Sequence, residues 1–230
     1  MSKQRKKRRY YPARPPKQPP DSRTLIFCKP YKVLSSFTDP EGRSTVGDFV
    51  DVPDVYAAGR LDYDSEGLLL LTSDGKLAHR VTHPNFKLPK IYLVQVERIP
   101  DDEALAHLQA GVLVQGQRTR PAQVERLTSE PEIFPRSEPI RYRKNVPATW
   151  LKITLKEGRK RQVRRMTAAV GHPTLRLVRM SIGPIRLGDL QPGFWRDLTQ
   201  AELAELKSRL HMAPLSSNFP DDEHKIEEKS

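Results

Sequence analysis

The chain has 230 residues, of which 40 are lysine or arginine and 28 are aspartate or glutamate, so its formal net charge is +12. Apolar residues make up 37% of the chain, enough to bury a core of ordinary size, and this excludes wholesale disorder. The longest apolar runs, such as Leu68 to Leu71, are far too short to span a membrane, and no apolar stretch follows the basic N-terminus as in a secretory signal peptide. A single cysteine, Cys28, excludes an intramolecular disulfide and a thiolate metal cluster. We therefore expect a cytoplasmic protein that is not embedded in a membrane.

The first 23 residues are predicted to form a disordered basic arm. They contain nine lysines and arginines, one aspartate and five prolines, and they show no apolar periodicity. Such an arm either aids solubility or tethers the protein to nucleic acid. Residues 24–215 hold 29 basic and 22 acidic residues, a net charge of +7, so the folded body is itself basic and the tether is favoured. Residues 216–230, with five acids and two lysines, are predicted to be a disordered acidic tail.

Between the tails, periodicity and turn residues predict a single domain of short strands and helices. In chain order, the predicted strands are Thr24 to Cys28, Val55 to Ala58, Gly67 to Thr72, residues 90–99, residues 149–156 and Leu175 to Met180. The predicted helices are Asp101 to Ala110, residues 160–170, and a last helix from the capping residue Thr199 to about Leu210. The proline-rich residues 130–147 are predicted to be a long surface loop or a join between subdomains. Because strands mostly follow one another directly, the predicted fold class is α+β, with a mixed, mostly antiparallel central sheet and flanking helices.

Several kinds of chemistry lack support in this sequence. The twelve glycines form neither GxGxxG nor GxxxxGK, so no nucleotide cofactor is predicted. His79 and His83 have the spacing of two metal ligands on one helix face, but no glutamate completes an HExxH motif and Pro84 follows directly. We therefore predict neither a metal site nor a cofactor.

Two segments combine charged residues with an apolar frame. GRLDYDSEGLLLL, residues 59–71, places Asp62 in a loop between two predicted strands, where a rigid frame can direct one side chain into a cleft. EGRKRQVRRM, residues 157–166, places five cations at the start of a predicted amphipathic helix. Because cations at a helix N-terminus oppose the helix dipole, this placement indicates an anionic partner. Each segment also has a purely structural interpretation. The first could be a hairpin with polar loop residues, and the second could be a helix face that contacts only solvent.

Taken together, these segments resemble a known family. GRLDYDSEGLLLLTSDG, followed by Lys90-Ile91-Tyr92 and by GRKRQVRRM with GHPTLRLVRMSIG, is similar to the RsuA-type branch of the ribosomal RNA pseudouridine synthases. The resemblance extends from about Leu25 to Leu198 and implies the pseudouridine synthase fold. Most such relatives carry an S4 RNA-binding module before the catalytic domain, whereas here we expect only the basic arm. This feature, together with FCKPYKVLSSFTD, makes the chain most similar to members that modify 23S rRNA.

The resemblance implies a cofactor-free isomerisation in which the bond between uracil N1 and ribose C1′ breaks, the base turns, and uracil C5 joins C1′. Asp62 matches the catalytic carboxylate, which attacks as a nucleophile or stabilises an oxocarbenium-like sugar; attack at uracil C6 and at ribose C1′ both remain open. Tyr92 matches the tyrosine that stacks on the target base and is implicated in proton removal from C5. Arg164 matches the arginine that pairs with the catalytic aspartate, a pair that would keep the acid ionised.

Other residues are expected to bind the substrate. Leu177 matches the family's apolar pocket residue, with Leu175 as a nearby alternative, and Arg60 is expected to help hold RNA. Asp64 and Glu66 are interpreted as loop structure rather than as a second catalytic acid. A target uridine must leave its stack, which requires an aromatic platform and cationic contacts to the RNA backbone. The further substrate-binding candidates are Lys90, Arg159, Arg161 and Arg165.

The expected partner is 23S rRNA or a large-subunit assembly intermediate, bound by a monomer. One alternative keeps the reaction but changes the substrate to small-subunit rRNA or tRNA. The other is a non-catalytic ribosomal RNA-binding protein. That alternative explains the charge equally well, but not why Asp62 lies among basic residues 30 positions before the tyrosine of the K-x-Y strand.

Overall fold

The computed structural model of the chain describes residues 22–140 and 146–212. Nearly all of the predicted basic arm, the whole predicted acidic tail, and residues 141–145 of the predicted loop lie outside the described residues. The part of that loop within residues 130–140 forms no helix or strand.

The secondary structure consists of strands and four helices within the described residues. The strands are β1 (Thr24–Lys29), β2 (Tyr56–Ala57), β3 (Glu66–Thr72), β4 (Lys90–Glu97), β5 (Leu113–Val114), β6 (Gln117–Arg118), β7 (Gln123–Arg126), β8 (Ala148–Leu155), β9 (Thr174–Ile182), β10 (Ile185–Arg186) and β11 (Trp195–Asp197). The helices are α1 (Gly75–Thr82), α2 (Asp102–Ala110), α3 (Gln162–Ala169) and α4 (Gln200–Arg209).

Most of the strands form one mixed sheet. Its order is β11-β1-β3-β9-β4-β8-β7, with β2 added beside β3 and β10 beside β9, while β5 and β6 form a separate hairpin. Only the β3–β9 pair is parallel among the strand pairs of the described residues. The predicted α+β class with a mixed, mostly antiparallel sheet is therefore confirmed.

Helix boundaries follow from capping side chains. Asp101 accepts a hydrogen bond from Ala104 N at the start of α2, and Thr199 forms a reciprocal capping box with Glu202 at the start of α4. Helix α1 was not among the predicted helices; the Asp74 side chain accepts hydrogen bonds from two backbone amides and caps it. The predicted N-terminal cap of α4 at Thr199 was correct because a capping box depends on residues only three positions apart.

The core covers both faces of the β1–β3 half of the sheet. Leu25 and Phe27 of β1 pack into one apolar cluster, whereas the alternate residues Ile26 and Cys28 pack into another on the opposite face. This two-sided burial explains why GLLLLT is continuously apolar rather than alternating. A third cluster packs β4, β8 and β9 against α2 and α3. The cleft described below lies where β3, β4 and β9 meet the start of α3.

Two further properties concern the described residues only. Their helices are too short or too polar to cross a lipid bilayer. They also contain no group of three or more His, Cys, Asp or Glu side chains placed to hold a metal ion.

Candidate active site

A cleft of about 650 Å³ brings together most of the residues predicted to form the site. Its walls come from the loop before β3, from the starts of β4 and α3, and from the inner part of β9. The predicted site residues that line it are Arg60, Asp62, Lys90, Tyr92, Arg159, Arg161 and Leu177.

The loop that carries Asp62 is held on both sides by hydrogen bonds. Before Asp62, Leu61 is buried, and its backbone N donates to Ser35 Oγ, which in turn donates to the Leu61 carbonyl. After Asp62, Ser65 N donates to the Asp62 carbonyl at 3.0 Å and closes a tight turn. The Asp62 carboxylate itself takes part in no ion pair or hydrogen bond with another described residue. The backbone is therefore fixed while the carboxylate stays available to a substrate.

The floor of the cleft is one face of the β4–β9 pair. Val94 lies opposite Leu177 in the antiparallel register, and Tyr92 lies opposite Arg179, so these side chains share a face. Tyr92 and Leu177 are 8% and 4% exposed. Leu177 lines the cleft whereas Leu175 does not, so the structure separates the two leucines that the sequence left as alternatives. An aromatic ring and an aliphatic side chain thus form an apolar floor below Asp62.

The predicted pair between Arg164 and Asp62 is wrong for this structure, in which the partner is Asp64. Arg161 binds both carboxylate oxygens of Asp64 at 2.8 Å, and Arg164 Nε lies 3.3 Å from Asp64 Oδ2. Arg164 Nη2 also donates to the Asp64 carbonyl. Arg161 and Arg164 are three positions apart and therefore lie on the same side of the helix start, where one carboxylate reaches both. The Asp64 carboxylate thus contacts both arginines and links the loop before β3 to the start of α3.

The start of α3 also differs from its prediction. The helix begins at Gln162, and Arg161 precedes it in the left-handed conformation with φ +54°. Arg159 therefore belongs to the preceding loop, where its Nη2 donates to the Arg118 carbonyl. Arg164 is only 11% exposed and lies behind the cleft wall rather than on a solvated face. Arg159 and Arg161 thus line the cleft, whereas Arg164 does not line it and contacts Asp64 instead.

Arg60 and Arg165 occupy different surroundings from each other. Arg60 is exposed at the mouth of the cleft. Arg165 does not line the cleft, and its Nη1 donates to the side chain of Gln115 in the β5–β6 turn. Of the predicted substrate-binding residues, only Arg165 falls outside the cleft.

Burial lowers the pKa of several cations around the cleft. Burial lowers the pKa of Lys29 to about 7, against the opposing effect of Glu66, and burial together with Arg179 lowers the pKa of Lys90 to about 8. Burial also lowers the pKa of Arg164, although Asp64 opposes the change. For Asp64, burial alone would raise the pKa, but the hydrogen bond from Arg161 and the charge of Arg164 bring it below its usual value. Burial is thus the largest cause of the lowered pKa of Lys29, Lys90 and Arg164.

Three polar residues near or in the cleft were missed by the sequence analysis. Lys29 is fully buried and donates from Nζ to the carbonyls of Pro30 and Val33 at 2.8 and 2.7 Å. Ser65 and Arg179 line the cleft at 1% and 4% exposure. A signal was present for Arg179, because a charged residue inside the apolar strand LRLVRMSI must find a partner when it is buried.

Comparison with known proteins gives consistent results. The family model described as RNA pseudouridylate synthase matches residues 23–169. The chain is 54% identical over 176 residues to a protein of Vibrio parahaemolyticus serotype O3:K6 named ribosomal large subunit pseudouridine synthase E, covering 76% of this chain and 74% of that one. A protein of the same name from Xanthomonas campestris pv. campestris is 58% identical over 174 residues, covering 75% and 93%.

Less similar proteins that match this chain are also described as pseudouridine synthases. Ribosomal small subunit pseudouridine synthase A of Salmonella typhimurium is 37% identical over 202 residues, covering 85% of this chain and 79% of that one. A crystal structure described as pseudouridylate synthase superposes with a TM-score of 0.68 at 32% identity, covering 81% and 74% of the two chains, and confirms the pseudouridine synthase fold. The protein therefore belongs to the RNA pseudouridylate synthase family.

Proposed function

We propose that this protein isomerises one specific uridine of the large-subunit 23S rRNA to pseudouridine, with Asp62 as the catalytic carboxylate and without a cofactor. The proposed substrate rests on relatives of 54–58% identity that are named large-subunit enzymes, against 37% for the small-subunit enzyme. The proposed form is a monomer that acts in the cytoplasm on rRNA or on an assembly intermediate.

The proposed reaction uses the cleft as follows. The target uridine leaves its stack and enters with its base against Tyr92 and Leu177, while Arg60 and Arg159 contact the RNA backbone at the mouth. The Asp62 carboxylate attacks, or stabilises positive charge on the ribose, as the bond between N1 and C1′ breaks. The base turns, C5 bonds to C1′, and the proton lost from C5 is balanced by one gained at N1. Atoms and charge balance without any second reactant.

The single observation that carries this proposal is the state of Asp62. Its carboxylate lies in a cleft rich in cations and yet has no ion-pair partner among the described residues, because Asp64 binds Arg161 and Arg164. A nucleophile needs a free lone pair, which this unpaired carboxylate offers. A non-catalytic RNA-binding protein has no need of a carboxylate in this position, since that charge repels phosphate.

The proposal is tested with Asp62→Asn and a matched control, Asp54→Asn, which changes an exposed aspartate outside the cleft. Both variants should keep the wild-type thermal transition and RNA affinity. We expect Asp62→Asn alone to abolish single-turnover release of tritium from C5-labelled uridine in a 23S rRNA transcript. Substantial turnover by Asp62→Asn would exclude the assignment of the nucleophile, and RNA binding without turnover by the wild-type protein would favour the non-catalytic alternative.

The substrate is tested separately by mapping pseudouridine in cells that lack this protein. We expect one position in 23S rRNA to lose its modification and to regain it when the wild-type protein is restored. Loss of a position in 16S rRNA or tRNA instead would reject the proposed substrate while leaving the enzyme assignment intact.

A further inference from the structure

We infer that Arg179, together with Ser65, donates hydrogen bonds to a carbonyl oxygen of the target uracil and so holds the base in the cleft. The inference deepens the proposed function and rests on it, because it names the groups that would recognise the base. Ser65 lies within GRLDYDSEGLLLL and Arg179 within GHPTLRLVRMSIG, but neither residue was assigned a role from the sequence.

The position of Arg179 follows from strand pairing. It lies opposite Tyr92 across the β4–β9 pair and two residues after Leu177 on β9, so all three side chains belong to one face of the sheet and line the cleft. On its other side, Arg179 pairs with Gly67 of β3. A Cβ on Gly67 would lie 2.4 Å from the Arg179 carbonyl oxygen, so only glycine allows β3 to approach β9 this closely.

The hydrogen bonds of Arg179 are incomplete. Its Nε donates to the Leu68 carbonyl at 2.7 Å, which fixes the plane of the guanidinium, but its Nη2 is buried without any hydrogen-bond acceptor. Within the described residues no carboxylate forms an ion pair with Arg179. A buried guanidinium left in this state is costly, and a ligand oxygen that completes its hydrogen bonds removes that cost.

Ser65 provides a second donor in the same cleft. Its Oγ is also buried without a hydrogen-bond partner, and the residue is 1% exposed. Ser65 lies directly before β3, three residues after Asp62, and its backbone N closes the turn that holds the Asp62 loop. Two residues with unsatisfied donors thus line the cleft that also contains the proposed nucleophile and the proposed stacking ring.

The neighbouring charges favour an oxygen that carries negative charge. Lys90 lines the same cleft, Lys29 is buried near Arg179, and Arg179 contributes to the lowered pKa of both lysines. The ligand group is a base oxygen rather than a phosphate because Arg179 lies on the apolar floor with Tyr92 and Leu177, whereas exposed cations such as Arg60 stand at the mouth. The same donors would stabilise charge on uracil as its bond to C1′ breaks.

Whether these donors also discriminate between uracil and cytosine depends on which oxygen of the base they face. Arginine has no acceptor, so it binds O2 or O4 of uracil but cannot accept from an amino group. Cytosine carries an amino group at position 4, and donors that face this position would reject it. If the donors face O2, which both bases carry, they hold the base without discriminating.

The test combines a change in the protein with a change in one substrate atom. Single-turnover rates are measured on 23S rRNA fragments that contain uridine, 2-thiouridine or 4-thiouridine at the modified position, because sulfur is a weaker acceptor than oxygen. The proteins are wild type, Arg179→Lys and Ser65→Ala. We expect sulfur at one of the two positions to slow the wild-type protein about tenfold more than it slows Arg179→Lys, the size expected for one hydrogen bond from a charged group. The position that shows this difference identifies O2 or O4.

Arg176→Lys is the matched control. Arg176 is also a buried arginine of β9, but it pairs with Glu66 and does not line the cleft. A merely structural defect should lower the rate on all three RNAs equally, as we expect for this control. Ser65→Ala removes a single oxygen and keeps the test decisive if Arg179→Lys does not fold. Equal sulfur effects in the wild type, Ser65→Ala and any folded Arg179→Lys would overturn the inference, whereas absence of wild-type turnover on the uridine RNA would overturn the proposed function itself.

Discussion

Replacement of Asp64 by asparagine removes one negative charge from the support of the cleft and keeps the shape of the side chain. Arg161 then keeps at most one of its two hydrogen bonds of 2.8 Å, to the amide oxygen, and Arg164 loses a charged partner at 3.3 Å while remaining only 11% exposed. Breaking a fully buried pair costs about 3–5 kcal/mol, and exposed pairs contribute about 0–1 kcal/mol. Because the Asp64 side chain is 30% exposed, we expect a loss of about 1–3 kcal/mol in the free energy of unfolding.

The pH dependence of this loss has a definite sign. The folded protein holds the pKa of Asp64 below its ordinary value, so the stabilisation is present above the unfolded pKa of about 3.9 and disappears as the pH falls through the folded pKa. The difference between wild type and Asp64→Asn in urea unfolding should therefore be full at pH 7 and vanish in strong acid. The released arginines are also expected to pair with Asp62 and to slow single-turnover isomerisation.

Asp54→Asn is the control for this experiment. Asp54 is exposed, has no ion pair with another described residue, and adopts a left-handed conformation with φ +59° that asparagine tolerates. Its substitution should change the free energy of unfolding by less than about 0.5 kcal/mol. An Asp64→Asn loss no larger than that of the control would refute the view that Asp64 stabilises the two arginines.

Further predictions concern single positions and the basic arm. Arg161→Lys and Arg164→Lys should each lower the single-turnover rate about tenfold because lysine cannot reproduce the planar fork, whereas Arg165→Lys should remain near wild type; equal effects at all three would contradict this. Burial lowers the pKa of Lys29 from 10.5 to about 7, so between these two values the unfolded chain binds the Lys29 proton more tightly than the folded protein does, and stability rises with pH. The free energy of unfolding of wild type relative to Lys29→Met should rise by about 2 kcal/mol from pH 7 to pH 9, and parallel urea curves at both pH values would disprove this. Deletion of residues 2–22 should weaken RNA binding and reduce its salt dependence with little change in the rate at saturation, and an unchanged salt slope would leave the arm as a solubility tail.

Local patterns determined most of the strands and helices. Apolar patterns predicted β4, β8 and β9 to within a few residues, and the cap at Thr199 predicted the start of α4, because strand pleating and capping act over two to four positions. The short strands β5, β6, β7, β10 and β11 were missed. Two to four residues carry too little periodicity, and these strands exist because a neighbouring segment provides the hydrogen bonds.

Local sequence also identified most of the candidate site. The motif around Asp62 and the K-x-Y strand indicated residues that line one cleft. Each motif is a continuous segment, so its residues can be recognised without knowledge of the tertiary structure. The choice between Leu175 and Leu177 was beyond local sequence, because the two leucines are only two positions apart on β9 and the choice depends on how far the cleft extends along that strand.

Only the tertiary structure decided how the charges are paired. Arg164 was matched to Asp62, but the two acids lie two positions apart on the same loop, and the contact that selects Asp64 spans about a hundred residues. The same holds for the ion pair of Arg176 with Glu66 and for the unpaired guanidinium of Arg179 on the same strand. A sequence shows which residues carry charge. Their partners depend on burial and on distances of a few ångströms between distant segments, and these distances are set only when the sheet and α3 pack together.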